Sequence, residues 1–149
     1  MEIIHSEIMS PKDLAMEYYR RLDAGSPDLM DIFHDDAEFY FPKFGISSGK
    51  STFFDLLTGL GKVVTSIGHH LPDFKLNVLD NIVVVEGTTF GTLSDGTAWN
   101  GGETPGGRFC SVFEVRNGLI TRMYVYLDPD YGSADRERFL WPESDARRW

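Results

Sequence analysis

Four side chains of this sequence are the leading candidates for proton transfer: Tyr18, His69, His70 and Asp128. Asp128 ends the apolar run Tyr124-Val125-Tyr126-Leu127, and a carboxylate at the mouth of an apolar pocket resists ionisation and can serve as general acid or base. The same residue opens Asp128-Pro129-Asp130, which reads equally as a turn capping the end of a strand. Tyr18 lies on the apolar stripe of the first helix, so its hydroxyl either finds an interior partner or orients a substrate oxygen in an empty pocket. His69 and His70 join a helix to a sheet; an imidazole exchanges protons near neutral pH, and either ring can act as a base or sit as one of a solvated pair. His70 is the expected base should Asp128 prove to be only a turn residue. Tyr40, Phe41 and Trp99 are the expected aromatic wall of a pocket, with core packing as their alternative, and Phe109 and Ser111 complete the expected substrate-binding set. His34-Asp35-Asp36 and the histidine pair contain no His/Glu pair four residues apart, so neither a metal nor any other cofactor is expected. Gly101-Gly102 and Gly106-Gly107 lack the Lys-Ser/Thr of a phosphate loop and read as a flexible lid.

The elements that must position these groups follow from capping and periodicity. Ser10-Pro11-Lys12-Asp13 opens a helix, Leu14, Tyr18 and Leu22 form its buried stripe with Ala15 and Tyr19 beside them, and Gly25 stops it. A short helix runs from Ser26-Pro27-Asp28 to Phe33, His34-Asp35-Asp36 turns the chain, and Ala37 to Phe41 form a strand closed by Pro42. Lys43 to Gly49 reads as loop. Ser51 to Leu60 has helical spacing, which Val63 to Ile67 extend or kink at Gly59 and Gly61. From Phe74 the period falls to two: Phe74 to Leu79, Ile82 to Leu93, Thr97 to Trp99, Arg108 to Arg116 and Leu119 to Leu127 read as an antiparallel meander. Asn117-Gly118 is its strongest hairpin signal. In the last strand Ile120, Tyr124 and Tyr126 fall on one face and Leu119, Met123, Val125 and Leu127 on the other, so both faces need cover. Helices cover one; a second copy of the chain is the economical cover for the other, and a homodimer through the outer sheet face is expected.

Composition narrows the class. At 149 residues, 42% hydrophobic and 13% aromatic, the chain has the size of one domain with a substantial core. A formal charge of -9 disfavours nucleic acid and anionic lipid as partners. The lone Cys110 excludes an internal disulfide and, beside Phe109 and Val112, reads as a buried thiol. Met1 to Met9 has no continuous apolar core of a signal peptide, no run is long enough to span a bilayer, and a cytoplasmic protein is expected.

The order of these elements, with Leu22-Asp23-Ala24-Gly25 ending the long helix, Phe33 to Phe39 leading to Pro42, and Gly49 opening a second helix, resembles the nuclear transport factor 2-like superfamily over nearly the whole chain. Gly107-Arg108-Phe109, Val115 to Ile120 and Tyr126-Leu127-Asp128 make the resemblance closest to its SnoaL-like, polyketide cyclase-like branch. The resemblance implies an α+β cone: a cone-shaped roll in which a curved antiparallel sheet wraps around N-terminal helices, with a deep apolar pocket and frequent dimerisation through the outer sheet. In SnoaL-like cyclases an aspartate ending the final strand is the acid/base, which matches Asp128. Ketosteroid isomerases of this fold combine a first-helix tyrosine with two carboxyl groups; Tyr18 matches the first, but Phe41 and Ser111 stand where the carboxyl groups belong, which disfavours that mechanism. Limonene epoxide hydrolases need an aspartate close to an arginine on a middle strand, and Arg108 has none two residues on. Because the fold hosts many chemistries, two functions follow. One is a cofactor-independent lyase or isomerase that transfers a proton on a small apolar oxygenated molecule, with Asp128 or His70 as base and Tyr18 orienting the oxygen. The alternative is a non-catalytic small-molecule-binding or assembly subunit.

Overall fold

The structure is a computed structural model and describes residues 8–149; Met1 to Glu7, on which most of the expectation about a leader rests, lie outside the described residues. Helix α1 (Pro11–Ala24) begins where Ser10 accepts from the Asp13 amide at 3.1 Å and ends at Gly25, whose φ of 63° lets its amide reach the carbonyls of Arg21 and Leu22. It buries Leu14, Ala15, Tyr18 and Tyr19. A 3-10 turn (Leu29–Ile32) leads into β1 (Phe33–Phe41), followed by β2 (Gly45–Ser48), α2 (Thr52–Leu60) and β3 (Val64–His69). The remaining strands are β4 (Lys75–Leu79), β5 (Ile82–Leu93), β6 (Ala98–Asn100), β7 (Arg108–Arg116) and β8 (Leu119–Leu127). No helix among the described residues is long and apolar enough to cross a membrane.

The eight strands make one curved, unclosed sheet in the order β2-β1-β8-β7-β5-β3, with β4 and β6 also paired to β5. Its inner face is a set of apolar rows: Phe39, Met123, Phe113 and Val83 lie side by side across β1, β8, β7 and β5, and Val125, Ser111 and Val85 form the next. Helix α1 lies against this face, and Tyr18 meets the rings of Phe33, Phe53 and Phe113 edge-on. Strand β5 generates the curvature by changing partners along its length, β7 and β4 for its first half and β3 and β6 for its second. Gly87 stands near that change; a Cβ there would lie 2.6 Å from the Phe74 ring and 2.8 Å from the Phe109 ring, so only glycine lets both aromatics close over the strand.

Several expectations are corrected. Val63 to Ile67 does not extend α2: Gly61 ends the helix, and Val64, Ser66 and Ile67 pair with the second half of β5 as β3, with the β-branched Thr65 at a register shift between them. The segment expected as loop holds β2, paired with β1 after a turn in which Lys43 takes a φ of 72°. Strand β1 starts at Phe33, passing through His34-Asp35-Asp36 with a register shift before Glu38. The sheet is mixed, because β1 runs parallel to β8 while the other pairs are antiparallel. A second register shift, between Glu114 and Val115, turns Ile120 into the core instead of onto the face of Tyr124 and Tyr126. Cys110 is only half-buried.

Candidate active site

Between α1, α2 and the inner face of the sheet lies a cavity of about 80 Å³. Its apolar wall includes Leu22, Phe53, Leu57, Ile67, Phe109 and Val125, and among the described residues no lysine or arginine reaches it. The polar groups on this wall are few: Tyr18, Tyr19, His69, Thr89, Ser111 and Tyr131. Two of them satisfy each other, since the Tyr19 hydroxyl donates to Ser111 Oγ at 2.7 Å deep in the core.

His69, the last residue of β3, faces Thr89 of β5 across the sheet. Its Nδ1 lies 2.6 Å from Asp23 Oδ1, and its backbone amide donates to Asp23 Oδ2 at 2.8 Å. The carboxylate therefore grips the histidine at two points. The imidazole side chain is 9% exposed and Asp23's is 24% exposed, so the pair sits at the edge of the apolar interior. Because a carboxylate oxygen only accepts, Nδ1 carries a proton and donates it to Asp23, and the other ring nitrogen, Nε2, has no partner among the described residues. The ring is clamped by Tyr19 at 4.9 Å and Phe109 at 5.5 Å between centroids.

Tyr18 is 5% exposed, and its hydroxyl bonds to no group among the described residues. No buried side-chain nitrogen or oxygen among those residues is sealed away without a partner, so the hydroxyl must meet open space, and the space it borders is the cavity. Burial, and then the nearby Tyr19, Asp23 and Tyr131, hold its pKa well above the ordinary phenol value, so it is a hydrogen-bond donor at any physiological pH. Burial likewise raises Tyr19, against the opposing effect of its Ser111 bond, and raises Tyr131.

The expected site residues divide accordingly. Tyr18, Phe41, Phe109 and Ser111 share the cavity wall. Asp128 does not: it is exposed, its Oδ1 accepts from the Asp130 amide at 2.9 Å, and it borders a surface hollow with Arg136 and Trp149. Alternation after Tyr124 and Tyr126 keeps it on the outer side, and Pro129 does not bend it inward. His70 points away as well; its Nε2 lies 2.7 Å from Asn100 Oδ1 and its ring packs on Phe90 at the surface. Tyr40 is on the outer face beside Tyr124 and Tyr126, at 5.5 and 5.4 Å between ring centroids. Trp99 is buried in a neighbouring cluster with Val64 and Tyr131, not in the cavity wall. Among the described residues no three His, Cys, Asp or Glu side chains gather where they could hold a metal ion.

Asp23, Tyr19 and Tyr131 were not singled out in the sequence. Asp23 carries a legible signal: it sits in the last turn of α1, where the helix dipole favours cations, so an acid there calls for a donor from elsewhere in the fold. It also lies four residues after Tyr19, on the same face.

A family model described as the SnoaL-like domain matches residues 15–123. The chain belongs to the SnoaL-like family. Solved structures agree on an NTF2-like α+β cone. An NTF2-like protein of unknown function from Burkholderia pseudomallei matches with a TM-score of 0.70 and 16% identity, covering 87% of this chain and 97% of its own. TerC co-crystallised with polyporic acid gives 0.68 at 19% identity over 79% of this chain and 91% of its own. A candidate polyketide cyclase from Xanthomonas campestris gives 0.68 at 18% identity, over 79% and 90%. At such identities the likeness carries the fold and not the chemistry. No curated protein matches the chain in sequence.

Proposed function

We propose that this SnoaL-like protein is a cofactor-independent enzyme of the lyase or isomerase kind that moves a proton on a small, uncharged, oxygenated molecule held in the inner cavity. The observation that carries this reading is His69, held from behind by Asp23, on the wall of a cavity also lined by Tyr18, whose hydroxyl is unbonded among the described residues. In this mechanism Nε2 of neutral His69 accepts a proton from a carbon next to a carbonyl, and Asp23 stabilises the imidazolium that forms. Tyr18 donates a hydrogen bond to the carbonyl oxygen as negative charge builds there. The protonated Nε2 then returns the proton to another carbon, an isomerisation, or to a departing hydroxyl, a dehydration. The absence of lysine and arginine from the wall disfavours carboxylate and phosphate substrates.

The test is exchange of α-protons in D2O, followed by proton NMR, with butan-2-one and 3-hydroxybutanone as compact probes suited to about 80 Å³. Accelerated exchange that falls by about 10²-fold or more in His69→Gln supports the reading. No acceleration by the native protein, or the same acceleration in the variant, overturns it and leaves the non-catalytic alternative, which the small volume of the cavity favours.

We also propose that a second copy covers the outer sheet face. There Ile46, Tyr40, Tyr124, Val112 and Val84 lie in one continuous row across β2, β1, β8, β7 and β5. Ile46 is 63% and Tyr126 47% exposed, an apolar band that a two-fold partner would bury.

A further inference from the structure

The chain does not end its contribution to the cavity with β8. Beyond that strand, Asp128 accepts from the Asp130 amide, and the Asp130 carboxylate accepts from the amides of Ala134 at 3.1 Å and Asp135 at 2.7 Å. These local bonds fold residues 128–135 into a tight turn that drives Tyr131 back inward, where it is 2% exposed. Its ring stacks on Trp99 with centroids 4.6 Å apart and planes 24° from parallel. Trp99 is itself fixed, because its Nε1 donates to Thr89 Oγ1 at 2.9 Å and Thr89 Oγ1 donates to the Gly107 carbonyl at 3.2 Å. The turn's backbone presses on Gly106, where a Cβ would lie 2.1 Å from the Tyr131 carbonyl oxygen; any larger residue would push the tyrosine out.

All this seating leaves the phenol itself unbonded among the described residues. Since no buried side-chain polar atom there is sealed off without a partner, the Tyr131 hydroxyl opens onto space, and Tyr131 borders the same cavity as Tyr18. Tyr131 also borders a surface hollow beside Lys62 and Asp95.

We propose that Tyr131 is a second hydroxyl donor of the site, so that the cavity selects a compact uncharged molecule with two oxygen functions, such as a hydroxyketone, one for Tyr18 and one for Tyr131. This rests on the proposed function in locating the ligand in that cavity, but it is separable from the role of His69. Each phenol stands in a mostly apolar wall, and a donor left unpaired when a ligand displaces water from it lowers affinity, so a molecule with one oxygen leaves one of the two phenols unpaired.

The experiment compares the affinities of 3-hydroxybutanone and butan-2-one by NMR shift titration of the protein, together with thermal melting. The native protein should prefer the hydroxyketone by about tenfold, the worth of one added hydrogen bond. Tyr131→Phe keeps the ring and its stacking, so it should melt as the native protein does and lose the preference. His69→Gln should lose proton exchange and keep the preference. A native protein without the preference, or a Tyr131→Phe protein that retains it, overturns the proposal. Loss of exchange in His69→Gln would in that case leave the proton-transfer reading standing alone.

Discussion

Replacing Asp23 by asparagine tests the candidate base without touching the cavity wall. The carboxylate accepts two bonds from one residue, the His69 amide at 2.8 Å and the ring nitrogen at 2.6 Å. An asparagine of the same shape has one acceptor and one donor. If its oxygen keeps the backbone amide, its NH2 group faces Nδ1, which must then accept, and the ring proton moves to Nε2. That is the wrong tautomer for a base whose working nitrogen is Nε2, and turnover or α-proton exchange should fall by about 10²- to 10⁴-fold. Both bonds lose their charge assistance, about 1 kcal/mol each before solvent screening and about 1–2 kcal/mol together at the edge of the interior. For a chain of this length that lowers Tm by roughly 2–8 °C. The direct assay is the ring 15N spectrum of His69 at a pH where the ring is neutral. The native protein should show the Nδ1–H form and Asp23→Asn the Nε2–H form. An unchanged tautomer, with unchanged melting, would mean that Asp23 does not orient the ring and would remove the reasoning behind the assigned base.

Ser111→Ala strands the Tyr19 hydroxyl in a fully buried position, so it should cost about 1–3 kcal/mol in urea denaturation, whereas a milder loss would mean that water replaces the serine. Alkaline stability should fall steeply above about pH 10: the unfolded chain ionises its tyrosines there, while Tyr18, Tyr19 and Tyr131 keep their protons until higher pH, so the unfolded state gains. Three such groups amount to about 4 kcal/mol per pH unit, and Tyr131→Phe should reduce the slope of stability against pH by about a third. Val112→Glu, in the middle of the outer apolar row, should turn a dimer into a folded monomer by sedimentation velocity; a native protein that is monomeric at micromolar concentration refutes the proposed pairing.

What the sequence disclosed follows the range of the forces involved. Helix α1 was legible because its signals are local: Ser10 and Pro11 start it, the Leu14–Tyr18 stripe faces inward, and Gly25 stops it within a single stretch of chain. The β7–β8 hairpin was legible for the same reason, through Asn117-Gly118. Strands β2 and β3 were not, because each is short and gains its hydrogen bonds from a partner elsewhere, β1 for one and β5 for the other. That miss propagates into the site. With Val63 to Ile67 read as helix, no alternation reaches the histidines, and nothing local distinguishes His69, opposite Thr89, from His70, beside Asn100.

The His69–Asp23 pair also bears on why its carboxylate stands where it does. An acid in the last turn of a helix opposes the macrodipole, and the core beneath it is already closed by Leu14, Tyr18 and Tyr19, so packing alone gives no reason for Asp23. Its two bonds to His69 offset that local cost, yet a neutral or basic residue at position 23 would avoid the cost altogether. The tyrosines repeat the pattern: Tyr19 has its serine, while Tyr18 and Tyr131 hold hydroxyls in an apolar wall where phenylalanine would pack as well. Local choices that disfavour stability gather around one cavity while the rest of the core is ordinary aromatic packing, and this concentration is the ground for proposing that the cavity serves a ligand.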